Sequence, residues 1–272
     1  MEPRRRVSVH SLVVHLQGPG MKTVTLVVSL VFVTLAHAKG IEISFQTADD
    51  VTVYGEVYES PDAPMSAPVI LLFHQGAHNS RAEYEPIVVR LLDAGYHAVA
   101  IDQRRGGDRF GGINRTLEGV GDTEYSYCDV YPDLEATLRF AKDYGFTGKV
   151  AAWGSSYSAA LVFKLGVDHS DEIDAVLAFS AASGEPMEGC MPESYSEQIT
   201  IPVLALRPVR EMEVPYVPGQ MKLFEKHGHQ TYIADPAVHA SSMLNEARVG
   251  SSTESTWTVV LDFLETNLSP AE

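Results

Sequence analysis

Basic side chains are scarce in this 272-residue chain: 20 Lys and Arg stand against 36 Asp and Glu, a formal net charge of −16. Such a surface repels phosphate backbones, which disfavours nucleic-acid binding, and anionic membranes are poor partners for the same reason. Cysteine is almost absent; Cys128 and Cys190 are the two. No cysteine or carboxylate cluster supports a metal site, so the closely spaced His227 and His229 read as solvated loop residues. A long apolar run is missing as well. The run after Met21 is too short for a comfortable membrane span, and no second one follows. No internal repeat occurs, which excludes repeat architectures.

What remains is 45% hydrophobic and 9% aromatic, as suits one globular domain with a full core. The beginning of the chain reads differently. Residues 21–38 carry one positive charge, then an apolar run, then Ala36-His37-Ala38. This is the pattern of a secretory signal peptide with a small-residue cleavage site, and a retained membrane anchor is the alternative. Residues 1–38 are therefore expected to be a signal region and residues 39–272 a single domain. The true start is Met21, or else Arg4, Arg5 and Arg6 extend the basic n-region. Loss of Arg4, Arg5, Arg6, Lys22 and Glu2 with that region takes the net charge to −19. Export implies a secreted or periplasmic protein. Two cysteines in an exported chain suggest one disulfide, the alternative being two separate buried thiols.

Beyond residue 40, strand and helix patterns alternate. Apolar or alternating runs at 41–45, 51–58, 69–73, 96–101, 149–153, 173–179, 201–206 and 230–234 read as eight strands. Helical spacing appears at 82–94, 130–144, 158–166, 218–227 and 255–267. This alternation means βαβ units and a mostly parallel sheet with helices on both faces. A Gly/Arg-rich loop runs from 102 to about 127, and 180–195 reads as loop or short helix. No stretch has room for a large lid.

Chemistry concentrates at Gly154-Ser-Ser-Tyr-Ser158, between a strand and a helix. This is a variant of the G-x-S-x-G nucleophile elbow, with Ser156 at the turn. A serine hydroxyl is a weak nucleophile and must be held exposed beside a base and oxyanion donors. The plain alternative is a Ser/Gly turn at a helix start with Ser156 as its cap. His74-Gln75-Gly76 ends the strand at 69–73, at the carboxyl edge of the sheet where ligands bind. Backbone N–H groups of Gln75 and Gly76, with that of Tyr157, are the candidate oxyanion donors. His239 follows the last strand and is the candidate base. Glu211 and Glu213 follow the preceding strand as candidate acids, and Glu185 is a third. The arginines at 104, 105, 109 and 115 form a substrate wall or hold their loop by ion pairs; Tyr125, Tyr127 and Tyr131 line a pocket or pack at a helix start.

The order serine, acid, histidine is that of α/β-hydrolases. The chain resembles that superfamily, in the small lidless group of dienelactone hydrolases and carboxylesterases. The likeness rests on Phe73-His-Gln-Gly76, Asp102-Gln-Arg-Arg-Gly106, Gly154-Ser-Ser-Tyr-Ser158, Pro202-Val-Leu-Ala-Leu206 and Val238-His-Ala-Ser-Ser242. It departs at Ser158 and Gln75, where glycine is usual, and in offering Glu for Asp. The resemblance implies an α/β-hydrolase fold and a serine hydrolase acting on a small-molecule ester, lactone or related acyl compound. It calls for no cofactor and no metal, and Glu211 falls where the family's acid falls. A peptidase of the same fold and a non-catalytic binding protein are the competing readings. Cys128 and Cys190 both lie on segments starting from the carboxyl edge, so a bridge between them would sit beside the pocket mouth.

Overall fold

The computed structural model describes residues 8–16, 24–32 and 39–269. Ser8–Leu16 (β1) and Val24–Phe32 (β2) form an antiparallel pair that is a unit of its own. The cleavage motif at 36–38 lies outside the described residues. No helix among them is long and apolar enough to cross a membrane.

The second unit is built on an eight-stranded sheet. Its strands are β3 (Ile41–Gln46), β4 (Thr52–Tyr58), β5 (Val69–Phe73), β6 (His97–Asp102), β7 (Val150–Ser155), β8 (Ala175–Phe179), β9 (Val203–Pro208) and β10 (Gln230–Ala234). Their spatial order is β10-β9-β8-β7-β5-β6-β4-β3. β3 and β4 pair antiparallel, as do β4 and β6, and every other pairing is parallel. All eight expected strands are present, in the mostly parallel sheet the alternation implied.

β5 and β8 are apolar at every position because both faces of the sheet are covered. Val69, Leu71 and Phe73 of β5 point into one core, and Ile70 and Leu72 into the other. The first core is closed by α3 (Tyr131–Tyr144), α4 (Tyr157–Asp168) and α5 (Val217–Lys226), through Leu134, Leu138, Phe163 and Phe224. The second is closed by α1 (Ser80–Asp93) and α7 (Glu254–Leu268), through Ile87, Leu91, Trp257 and Leu264. Each fully buried side chain of this size contributes about 1.5–3 kcal/mol, so the two cores fix where the strand ends fall. Asn79 starts α1 by accepting the Ala82 N–H at 2.9 Å, and its amide ties the loop over it by donating to the carbonyls of Gly107 and Gly111.

Two expectations need correction. The 102–127 loop contains α2 (Arg115–Val120), capped by the Asn114 side chain at the Leu117 N–H. His227 and His229 are half-buried and bonded, where free loop residues were expected. The His227 ring bonds the Ser196 hydroxyl at 2.9 Å, and His229 Nε2 donates to the Ser196 carbonyl at 2.6 Å while its ring packs on Phe163 and Phe224. They lock the 195–199 segment to the α5–β10 connection.

Cys128 and Cys190 are bridged. The disulfide lies in the wall of a cavity of about 590 Å³ that also touches Arg104, Tyr125, Tyr131 and Lys164.

Candidate active site

β7 ends at Ser155, and α4 begins at Tyr157. Ser156 takes up the whole turn, with φ 59° and ψ −115°. An L-residue with a side chain rarely adopts that conformation, and its cost is met only where the surroundings over-determine it. Here they do. The Ser156 N–H donates to the Phe179 carbonyl at 2.8 Å, and its carbonyl accepts the Ala182 N–H at 3.0 Å. Gly154 is required for the same turn, because a Cβ there would run into the Ser158 carbonyl.

The neighbouring hydroxyls are committed elsewhere. Ser155 Oγ is buried and shares a 2.5 Å hydrogen bond with Ser241 Oγ, which also accepts the Trp153 indole N–H at 2.7 Å. Ser158 Oγ donates to the His74 carbonyl at 2.7 Å and accepts the Gln103 amide at 2.8 Å. The serine that replaces the usual glycine therefore fastens α4 to the ends of β5 and β6. Ser156 is half-buried and has no such partner among the described residues, leaving its hydroxyl available.

The candidate oxyanion segment follows β5. His74 is fully buried, and burial pushes its ring below the usual imidazole range. Its Nε2 accepts the Gln103 N–H at 3.0 Å, so Nδ1 carries the proton and donates to the Gln75 carbonyl at 2.8 Å. This ring is a neutral brace. The Gln75 N–H donates to Glu83 Oε2 at 2.9 Å and is thus taken. Glu83 is itself buried; burial pushes its carboxyl up, but His78, the Ser155 hydroxyl and the Gln75 N–H outweigh this and hold it below the ordinary range. The Gly76 N–H has no such acceptor among the described residues. Gly76 faces the Tyr127 ring, which stacks on Tyr157 with centroids 4.7 Å apart and carries the Arg105 guanidinium 4.1 Å above it. Gly76, Arg105, Tyr125 and Tyr127 line a cavity of about 610 Å³. The N-terminus of α4 brings the Tyr157 N–H and the positive end of a helix dipole to the elbow.

On the other side of the elbow, the loops after β9 and β10 converge. Glu211 Oε1 bonds His239 Nδ1 at 2.5 Å and accepts the Ser180 hydroxyl at 3.1 Å. Ser180 Oγ in turn accepts the Ala240 N–H at 3.0 Å, which fixes the backbone beside His239. Glu211 Oε2 accepts Arg207 Nη1 at 2.6 Å. Burial raises the Glu211 carboxyl, and the His239 and Arg207 contacts outweigh this and bring it below the ordinary range. Glu213 and Glu185 are exposed and bond no histidine among the described residues. With Nδ1 engaged, His239 keeps Nε2 for a second partner. No hydrogen bond joins Ser156 Oγ to His239 among the described residues, and such bonds commonly tighten only when substrate arrives.

Sequence reasoning did not single out Ser180, Arg207 or Ser241. One signal was present for Arg207: a charge at the end of an otherwise apolar strand.

The sheet order, the elbow at β7 and the loops around it define an α/β-hydrolase fold. No family model and no curated protein matches the sequence. Solved structures do match. The esterase Pf2001 of Pyrococcus furiosus is 19% identical with a TM-score of 0.64, over 85% of this chain and 93% of that one. A protein assigned as a dienelactone hydrolase from Klebsiella pneumoniae is 16% identical with a TM-score of 0.61, over 83% and 97%. The acylaminoacyl peptidase of Pyrococcus horikoshii is 15% identical with a TM-score of 0.64; the match covers 88% of this chain but 43% of the peptidase. The likeness is one of fold.

Proposed function

We propose that this chain is a serine hydrolase that cleaves a small ester, lactone or related acyl compound through an acyl-enzyme. The observation that carries this reading is Ser156 held at φ 59° on the elbow, with a histidine whose Nδ1 is already bonded to a carboxylate on a loop leaving the same edge of the sheet. Ser156 Oγ attacks the acyl carbon while His239 Nε2 takes the hydroxyl proton. The carbonyl oxygen becomes an oxyanion facing the N–H groups of Tyr157 and Gly76. Collapse breaks the bond to the leaving oxygen, which receives the proton from His239. Water then repeats the cycle on the acyl-enzyme, and Ser156 regains its proton. Glu211 fixes the imidazole tautomer and stabilises its charged form. The Gln75 N–H, a candidate donor from sequence, supports the oxyanion loop through Glu83 instead.

Turnover of p-nitrophenyl esters of rising chain length reads the acyl preference. Fluorophosphonate labelling of the wild-type chain and its loss in Ser156→Ala test the nucleophile. An unlabelled but folded wild-type protein would make the chain a non-catalytic scaffold. A peptidase of the same fold is the second reading, and turnover of a peptide p-nitroanilide set beside the esters tests it.

The disulfide supports export to an oxidising compartment after cleavage behind Ala38. Mass spectrometry of the protein from its native host should find Lys39 at the N-terminus. An intact Met1 or Met21 in a membrane fraction would mean an uncleaved anchor.

A further inference from the structure

The triad carboxylate has two oxygens with different duties. Oε1 faces His239 and Ser180, and Oε2 faces Arg207. A carboxylate at the tip of a short turn has free rotation about its last bonds. Something must stop it from swinging away from the imidazole. Arg207 is the last charged residue of β9, and its side chain is only 4% exposed while that of Glu211 is 16% exposed. This is not a screened surface pair. The guanidinium is also held from behind: Nη2 donates to Gln220 Oε1 at 2.5 Å and to the Ala181 carbonyl. Gln220 Nε2 then donates to Glu193 Oε1 at 2.9 Å. Glu193 lies on the short turn Pro192–Ser194, three residues past the bridged Cys190. A continuous line of hydrogen bonds therefore runs from a covalently tethered segment, through α5 and β9, to the base.

We propose that Arg207 is the positioning residue of the catalytic triad, holding the second oxygen of Glu211 so that the first is presented to His239 Nδ1. The assignment rests on the serine-hydrolase reading above. The charged and titratable groups facing Glu211 are Arg207 from β9, His239 from the loop after β10 and the Ser180 hydroxyl from the end of β8; Glu193 acts only through Gln220. A purely structural ion pair would affect folding and nothing else. A positioning residue affects the chemical step and its pH dependence. Without the guanidinium, Glu211 takes a proton more readily. This moves the acidic limb of kcat/KM to higher pH, by about one unit.

The test compares Arg207→Met, Arg207→Lys and Gln220→Leu in the full exported chain, with folding checked by circular dichroism. In Arg207→Met, kcat on a p-nitrophenyl ester should fall about 10- to 100-fold with KM little changed, since a misplacement of about 1 Å costs on the order of 100-fold. The acidic limb should shift upward. Arg207→Lys should restore the limb and part of kcat, because it returns the charge without the two-pronged grip. Gln220→Leu, which frees the guanidinium from behind, should show a smaller loss in the same direction. A folded Arg207→Met with wild-type kcat and an unmoved limb overturns the proposal. If Arg207→Met does not fold, the Gln220→Leu profile decides: an unmoved kcat and limb overturn it equally. Loss of fluorophosphonate labelling in the wild type would instead mean that the hydrolase reading itself has failed.

Discussion

Two buried arginines sit at the carboxyl edge of this sheet, each gripping a carboxylate, and they do different things. Arg104 follows β6 and is 1% exposed. Its Nε and Nη2 donate to Asp133 Oδ1 at 2.9 and 2.8 Å, its own N–H takes Asp133 Oδ2 at 2.8 Å, and its remaining nitrogen goes to Asp49. Both oxygens of Asp133 are consumed by one residue. Arg207 grips a single oxygen of Glu211 and leaves the other for a histidine. The closed clamp welds the β3–β4 turn, β6 and α3 together. The open clamp, in the proposed mechanism, transmits position to a ring that must give up and accept protons. Burial also separates them: it pushes Asp133 up to about 6 despite Arg104, whereas Glu211 is held below the ordinary range. An ion pair at an active-site edge is thus read by counting which oxygens remain, not by its presence.

The comparison can be broken at either clamp. The largest effect is expected at the open one. Glu211→Gln should lower kcat by about 10⁴-fold while the protein stays folded, as when a triad acid no longer holds the correct imidazole tautomer. Glu213→Gln and Glu185→Gln should leave kcat unchanged in the same assay; a large loss in either would move the acid. At the closed clamp the expected loss is in stability. Arg104→Met strands a buried carboxylate and should cost about 3–5 kcal/mol, read from the urea midpoint at constant slope. The molecules that remain folded should turn over substrate normally. An Arg104→Met protein of full stability and no activity would show that the first clamp also serves the reaction.

How legible each region was follows from its physics. The strands at 69–73 and 96–101 announced themselves because burial on both faces demands unbroken apolar runs. α2 was hidden because six residues within a Gly/Arg loop carry no helical period. The elbow was legible because a tight strand-to-helix turn restricts residue type. The bridge between the two cysteines was the favoured of two readings, since both lie on segments that leave the same sheet edge, and two separate thiols were the other. The acid was narrowed but not chosen: Glu211 and Glu213 stand two apart on one short turn, and only side-chain direction separates them. The Gln75 N–H could not be discounted from sequence, since its acceptor Glu83 is eight residues on and helix packing alone brings it back. Arginine roles were the least legible. Arg104, Arg105 and Arg207 differ in what surrounds them, and pattern says nothing about surroundings.

The bridge between Cys128 and Cys190 encloses 62 residues of chain separation, and Ser156, the proposed nucleophile, lies within that ring. Gly184, Glu185 and Pro186, exposed on the same ring, are the natural place for a protease to enter. A single cut there divides the machinery: Ser156 stays with the first piece, and Glu211 and His239 leave with the second. The two pieces nevertheless remain one covalent molecule, because the cut opens a closed ring instead of severing a line. Nicking alone therefore yields a two-fragment protein whose halves cannot diffuse apart, and only a reductant turns the nick into a separation.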